Sequence, residues 1–239
     1  MTTPEREQPE NPGTESNDSA YLHPDVPLAK VTHHEQWIET LAGLCNKPGK
    51  RVLEVGSRVV TGSNFRSRFD QAEYTGFDYH PGPNVDVVGD AHKLSSFFDR
   101  PFDLIFSSAV FEHFALPWVV AQEMIRLLSV GGYIFVETHY SYSSHERPWH
   151  FFQFSEQALK MLFPPAAGIK CIEAGVSNPI VGRFSSLACK YLAHRPVSGL
   201  YCHSGFLGLK KRDVPNFSYL DALDDLATEY PLKEGGGTK

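Results

Sequence analysis

Three acidic residues stand near the ends of short apolar runs. They are Glu54 in Arg51-Val52-Leu53-Glu54-Val55-Gly56, Asp78 in Tyr74-Thr75-Gly76-Phe77-Asp78, and Asp90 in Val87-Val88-Gly89-Asp90-Ala91. Gly56 lets the backbone turn sharply after the first run and approach a ligand closely. Beside it, the Glu54 carboxylate can order the loop and accept hydrogen bonds from a cationic amine. Asp78 follows Gly56 by 22 residues, the spacing at which an acidic side chain receives both hydroxyls of a ribose. Asp90 can accept from the exocyclic amine of adenine, with a neighbouring backbone N–H on a ring nitrogen. In this order, on three strand ends, they describe a nucleoside pocket at the carboxyl edge of a parallel sheet.

The loop after Gly56 narrows the nucleoside. A pyrophosphate-binding turn needs G-x-G-x-x-G opening a helix, but the positions two and five after Gly56 are Arg58 and Thr61, and no Walker loop is present. A nucleoside without a phosphate chain tolerates such a loop. This favours S-adenosylmethionine and leaves an NAD-dependent dehydrogenase as the weaker alternative.

The elements that must position these groups alternate along the chain. Val31, His34, Trp37, Ile38, Leu41 and Leu44 fall at helical spacing, ending before Pro48-Gly49. Strands are expected at Arg51–Val55, Tyr74–Asp78, Val85–Val88, Asp103–Ser107 and Tyr133–Glu137. A short helix is expected at Asn64–Phe69, and another that starts at Pro117, carries its period from Val119 to Leu128 and is ended by Gly131-Gly132. Only Tyr79–Asn84 joins the second and third strands, too short for a helical crossover, so a bare loop to a brief strand is one reading there and a misplaced strand the other. Further on, Phe154–Phe163 reads as a helix capped by Ser155, Phe184–His194 as another, and Cys171–Val176 and Phe206–Lys210 as strands. Phe217, Leu220, Leu223, Leu226 and Tyr230 form a stripe that reads as core packing. Strands alternating with helices give an α/β fold: a Rossmann-like, mostly parallel twisted sheet with helices on both faces.

From Arg51 to about Leu162 the chain resembles the class I S-adenosylmethionine-dependent methyltransferases, especially the bacterial small-molecule branch. The stretches are Val52-Leu53-Glu54-Val55-Gly56-Ser57, Gly76-Phe77-Asp78, Val87-Val88-Gly89-Asp90-Ala91, Phe102-Asp103-Leu104-Ile105-Phe106-Ser107, Phe111-Glu112-His113 and Leu127-Leu128-Ser129-Val130-Gly131-Gly132. The resemblance implies that the Gly56-Ser57 turn contacts the methionine moiety, with Glu54, Arg58 and Tyr79 also among the cofactor-binding residues. It places Asp78 at the ribose, Asp90 and Ala91 at the adenine, and Ser107 and Ser108 on the wall near the sulfonium. Two glycines usual in that loop are Arg58 and Val60 here, and the loop looks like a form written Gly56-Ser57-Arg58 with Gly62-Ser63.

After the fifth strand, Thr138-His139-Tyr140 through His145-Glu146-Arg147-Pro148-Trp149-His150-Phe151-Phe152-Gln153-Phe154-Ser155 resembles a family stretch H-x-x-P-x-D-F-x-R-F-[ST], with His150 and Gln153 at the usual acidic and arginine positions. By that plan the loop covers the acceptor, and its aromatic density suits a planar or partly apolar substrate; Trp149, Phe151, Phe152 and Phe154 alternatively just pack the loop down. Alignment of nucleophile, methyl and sulfur carries most of the catalysis. An oxygen or nitrogen acceptor also gives up a proton, and histidine is the usual agent near neutral pH. His139, just past a strand end, is the first candidate, with His145 and His113 after it; His150 is a further one. No metal is expected, the grouping of His145, His150 and Glu146 being the one weighed.

Composition fits this reading. Of 239 residues, 41% are hydrophobic and 21% charged, with a net charge of -6, as in ordinary globular proteins. The densest basic run is Lys210-Lys211-Arg212, which reads as a solvated strand end, so no nucleic-acid partner is expected. Cys45, Cys171, Cys189 and Cys202 have no paired spacing and read as small buried thiols in a cytoplasmic protein. No membrane-spanning run is present. Residues 1–20 read as a disordered tail, 21–233 as one methyltransferase domain and 234–239 as a flexible end. The expected partners are a small-molecule acceptor and, as an assembly compatible with the sequence, a second copy in a homodimer. The reading is a methyltransferase acting on a small molecule at O or N rather than C. A cofactor-binding protein without turnover is the alternative, kept open by the altered loop and by His150 and Gln153. Asp78→Ala is expected to weaken cofactor affinity by about 2–3 kcal/mol, because ribose hydroxyls are left unpaired. An unchanged dissociation constant in calorimetric titration would refute the placement of the pocket.

Overall fold

The computed structural model describes residues 18–60, 62 and 64–229. The expected flexible end and most of the expected N-terminal tail lie outside the described residues, as do Ser63 and Tyr230. Asp18–Tyr21 already forms a 3-10 turn.

Helix α1 (Trp37–Cys45) is followed by strands β1 (Arg51–Val55), β2 (Glu73–Asp78), β3 (Val87–Val88) and β4 (Phe102–Ser108). Then come α2 (Pro117–Leu127), β5 (Leu128–His139), α3 (Glu156–Leu162), β6 (Ile169–Pro179), β7 (Gly182–Arg183), β8 (Pro196–Val197), β9 (Tyr201–Lys210) and α4 (Ala222–Glu229). Seven strands make one sheet in the order β3-β2-β1-β4-β5-β9-β6. Strands β3 through β5 run parallel, and β9 pairs antiparallel with both β5 and β6. The order reverses between β1 and β4, which is where open α/β sheets bind ligands.

Alternation along the strands sorts side chains into two cores. Val52, Leu104, Phe106, Phe135 and Leu207 meet Trp37, Leu41 and Cys45 of α1 on one face. Leu53, Val55, Ile105, Ile134, Val136 and Phe206 meet Val120, Met124 and Leu159 from α2 and α3 on the other. With both central faces covered, polar side chains are left to the strand ends. Pro117 opens α2 and the Ser155 hydroxyl caps α3 through Ala158 N at 3.1 Å, as expected.

The second-to-third strand connection is the bare loop. It is held by the Asp86 carboxylate, which accepts from Gly76 N at 2.7 Å and pairs with Arg66 at 2.6 Å. Gly76 itself admits no side chain, since a Cβ would stand 2.0 Å from Asn84 O. The Asn64–Phe69 helix shortens to a 3-10 turn at Arg66–Phe69.

Several expectations are corrected. The first helix begins at Trp37 rather than Val31, because the N–H groups of Lys30 and Thr32 bond the Glu173 carboxylate instead. Helix α2 ends at Leu127, and Gly131-Gly132 lies in a bulge between Leu128, which pairs with Phe102, and Tyr133, which pairs with Leu104. Phe184–His194 is not helical: Phe184 exchanges backbone bonds with Arg195 and His194, holding together ends that a helix would part by about 15 Å. The stripe after Phe217 is not core, since Leu220, Leu223 and Leu226 are exposed. Cys189 is exposed while Cys45 is buried, and burial pushes the Cys45 thiol up to about 11.

Lys210 is also not a solvated strand end. It is 3% exposed, and its Nζ donates to the carbonyls of Ile125 and Leu128 at 2.8 and 2.7 Å, closing the C-terminus of α2, while Asp213 pairs with it at 2.7 Å. Lys210→Met is therefore expected to lower stability by about 2–3 kcal/mol in urea unfolding, since buried carbonyls lose a charged donor. Lys211→Met, at an exposed position, should change it by less than about 0.5 kcal/mol.

Candidate active site

The carboxyl ends of β1, β2 and β3 and the loops after them bring Glu54, Gly56, Ser57, Arg58, Asp78, Tyr79, Asp90 and Ala91 to one edge of the sheet. Glu54, 5% exposed, accepts from the Tyr74 hydroxyl and from Asn84 Nδ2, the latter at 3.2 Å. Burial pushes its carboxyl up to about 8. Gly56 has φ +85, and a Cβ there would come within 2.2 Å of the Val110 side chain, which follows β4. Its N–H and that of Ser57 both donate to Phe77 O, so the turn is locked to β2. Ser57 Oγ donates to Asn84 O at 3.0 Å.

Asp78 receives N–H groups from both flanks, Arg58 N on Oδ2 at 3.2 Å and His80 N on Oδ1 at 2.9 Å. The Arg58 Nε lies 3.5 Å from Oδ1 and, though buried, has no aligned acceptor. The arginine that replaces a usual glycine thus rests on the carboxylate expected to hold the ribose. Tyr79 is exposed and set edge-on to His80. Asp90 caps the 3-10 helix Ala91–Phe97 through His92 N at 3.0 Å and holds the His92 ring at 2.7 Å. Burial pushes the Asp90 carboxyl up, but the bonds and charge of His92 outweigh it and hold it below the ordinary range. Ala91 is buried beside it. These residues fit a nucleoside carrying a cationic amine: a buried acid at the first turn, a side-chain-free Gly56, and acidic groups at two further strand ends.

Ser107 and Ser108 cannot both face this edge, because neighbours on a strand point to opposite sides. Ser107 is fully buried and donates to Val55 O at 2.8 Å, tying β4 to β1, so its hydroxyl does not line the site as expected. Ser108 donates to Glu137 Oε2 at 2.9 Å. Glu137 is buried and meets His34 Nδ1 at 2.7 Å; His34 stacks on His203 at 4.0 Å, and burial pushes the His203 ring down to about 4.

A histidine cluster continues from there. His139 is stacked on Tyr142 and lies edge-on to His145, which is edge-on to His113 and 4.6 Å from the His150 ring. Beneath them Glu112 is wholly buried. Its Oε2 accepts from Thr138 Oγ1 at 2.7 Å, and its Oε1 lies 2.8 Å from His139 Nδ1, out of line for a hydrogen bond. Burial pushes the Glu112 carboxyl up, but His139 and Thr138 outweigh it and hold it below the usual carboxylate range. The structure therefore brings His139, His145 and His113 together, with His150.

Glu112, Glu137, Asn84, His34 and His203 were not among the expected site residues. Glu112 had a signal, an acid in an apolar segment directly before His113. His34 and Asn84 arrive through loops and had none.

The loop after β5 docks on this centre. Phe151 N and Phe152 N donate to Glu112 O, and Phe154 N to His139 O. Gln153 Nε2 donates to Tyr142 O at 2.7 Å, so the residue at the usual arginine position fastens the loop to itself. Phe154 is buried packing, whereas Trp149 and Phe151 remain exposed. A concavity of about 240 Å³ bounded by Ser144, His150, Phe151, Phe152 and Gln153 opens here. A larger one, about 410 Å³, lies at the opposite, amino end of the strands near Arg100, Leu128 and Asp213, away from the candidate site residues.

The comparisons with known proteins agree with this geometry. A family model described as a methyltransferase domain matches residues 31–170, more than half of the chain. No curated relative matches. Among solved structures, the YcgJ protein of Bacillus subtilis is similar at 16% identity with a TM-score of 0.51, covering 75% of this chain and 100% of its own. A methyltransferase described as putative from Bacillus halodurans C-125 gives 16% and 0.51, covering 73% and 98%. TehB from Haemophilus influenzae gives 16% and 0.50, covering 73% of this chain and 61% of its own. At such identities the structures speak for the fold alone, the class I arrangement seen here. No helix among the described residues is long and apolar enough to cross a membrane. The chain belongs to the methyltransferase domain family, and its fold is that of the class I methyltransferases.

Proposed function

We propose that the enzyme methylates an oxygen or nitrogen of a small molecule held under the loop after β5, with His139 taking the acceptor's proton. The observation that carries this reading is the buried Glu112 carboxylate beside His139 Nδ1. A carboxylate there favours the proton on Nδ1, which leaves Nε2 as the base. The cofactor supplies an activated methyl group, so the protein's own work is orientation and proton removal. Asp78, Asp90 and Ala91 would hold the nucleoside and Glu54 with the Gly56 turn the amino-acid end. Exposed Trp149 and Phe151 at the loop give an apolar cover suited to a planar acceptor. His113 and His145 flank His139.

The test is a screen of small aromatic hydroxyl and amine compounds for release of S-adenosylhomocysteine. His139→Gln should slow release by about 10²–10⁴-fold at unchanged cofactor affinity. Wild-type turnover by that variant would overturn the assignment.

A second outcome follows from Glu54, held near 8 by burial. In the free protein at pH 7 it is mostly protonated, and pairing with the cofactor's ammonium requires it to ionise. Binding should therefore release close to one proton at pH 7, read by calorimetry in buffers of different ionisation enthalpy. Because the folded-state value is raised, the cost of that ionisation shrinks as pH rises, so affinity should climb toward pH 8 and then level. Glu54→Gln should abolish both the release and the slope.

A further inference from the structure

We propose that Glu112, His113 and His145 form a binding site for a divalent transition-metal ion of the zinc type. One ligand atom from each lies within 4.8 Å of the others, on groups contributed by the turn after β4 and the loop after β5. An ion needs about 2.0–2.2 Å to each nitrogen or oxygen, so a small inward shift of the loop completes the contacts.

The proton positions on both rings are fixed by their backbone partners. His113 Nδ1 is 2.8 Å from Trp149 O, and His145 Nδ1 is 3.0 Å from Ser143 O. A carbonyl only accepts, so each Nδ1 carries the hydrogen and each Nε2 keeps a free lone pair. This is the outer arrangement that orients histidine ligands in metal sites. The two rings stand at 88° to one another with centroids 5.0 Å apart, so their lone pairs lie in crossing planes.

The third ligand supplies an independent observation. Glu112 is fully buried, and its Oε1 has no aligned donor; neither has His139 Nδ1 beside it, on a residue 8% exposed. A buried carboxylate oxygen that faces an imidazole at 2.8 Å without an aligned hydrogen bond is under-satisfied, and a cation there would complete its coordination. Two imidazoles and one carboxylate suit zinc or its first-row neighbours better than magnesium or calcium. Glu146 Oε2, 3.9 Å from His113 Nε2, offers a further oxygen at the rim. His150 Nδ1 accepts from His145 N at 3.3 Å and serves the loop instead.

The neighbouring group His34, Glu137 and His203 is also close enough for one ion. There the two rings are stacked within 12° of parallel, and His34 Nδ1 already meets Glu137 Oε1. Parallel rings do not converge their lone pairs on one point.

An ion at the Glu112 site would stand beside His139 and present an open position to an acceptor oxygen. That role rests on the methyl-transfer reading; the metal site itself does not.

The experiment is calorimetric titration of the tag-free full chain with zinc, alongside His113→Ala, His145→Ala and His203→Ala. The expected result is one zinc per wild-type chain, an affinity loss of about 100-fold or more in the first two variants, and retention in the third. Titrating each protein with S-adenosylmethionine separates a folding failure, or a failure of the cofactor reading, from loss of the metal ligands. Cobalt added to the wild type alone should give a d–d absorption band of a low-coordinate nitrogen and oxygen site. Absence of zinc binding and of that band, or zinc binding that survives both ligand variants, would overturn the proposal.

Discussion

A sheet covered on both faces can present polar groups only where its strands end, and those ends must then be tied to one another. At the carboxyl edge the tie is Asn84. Its Nδ2 donates to Glu54 Oε2, to Ser57 O and toward the Tyr74 hydroxyl, its Oδ1 accepts from Arg66 Nε, and its carbonyl accepts from Ser57 Oγ. One residue on the loop between β2 and β3 thereby fixes the acid at the end of β1, the turn beyond it and the 3-10 segment that leads to β2. Its own backbone sits at φ 71, a conformation asparagine tolerates better than most residues. The short loop that looks too brief for a crossover is thus the keystone of the cofactor side.

The acceptor side is organised differently, around the main chain and side chain of one buried acid. Glu112 O takes two N–H groups from the loop after β5, while its carboxylate faces Thr138 and His139 at the end of the strand that precedes this loop. Anchoring and chemistry are carried by the same residue. Displacing Glu112 would therefore loosen the aromatic cover and disorient the imidazole together.

Much of this was legible in the sequence because parallel strands buried on both faces write themselves as apolar runs. Arg51–Val55 and the acidic residues near strand ends needed no tertiary information. What escaped reading depended on distant partners. The segment Phe184–His194 has a helical composition, yet its ends are tied to each other. Lys210 looks like a surface charge until the carbonyls at the end of α2 are seen to need it. Ser107 resembles its neighbour Ser108 in type but is spent inside the sheet. His34 reaches Glu137 only because the chain before α1 lies against β6, a contact that no local pattern announces.

That N-terminal stretch has one more effect. β6 is an edge strand, and unpaired strand edges invite another strand to add on. Here Val176 exchanges backbone bonds with Pro27 and Ala29, and the Glu173 carboxylate takes the N–H groups of Lys30 and Thr32. The opposite edge, β3, is only two residues long. Around Val176 the N-terminal stretch takes the place that a further strand would occupy, and the other margin offers only the two residues of β3.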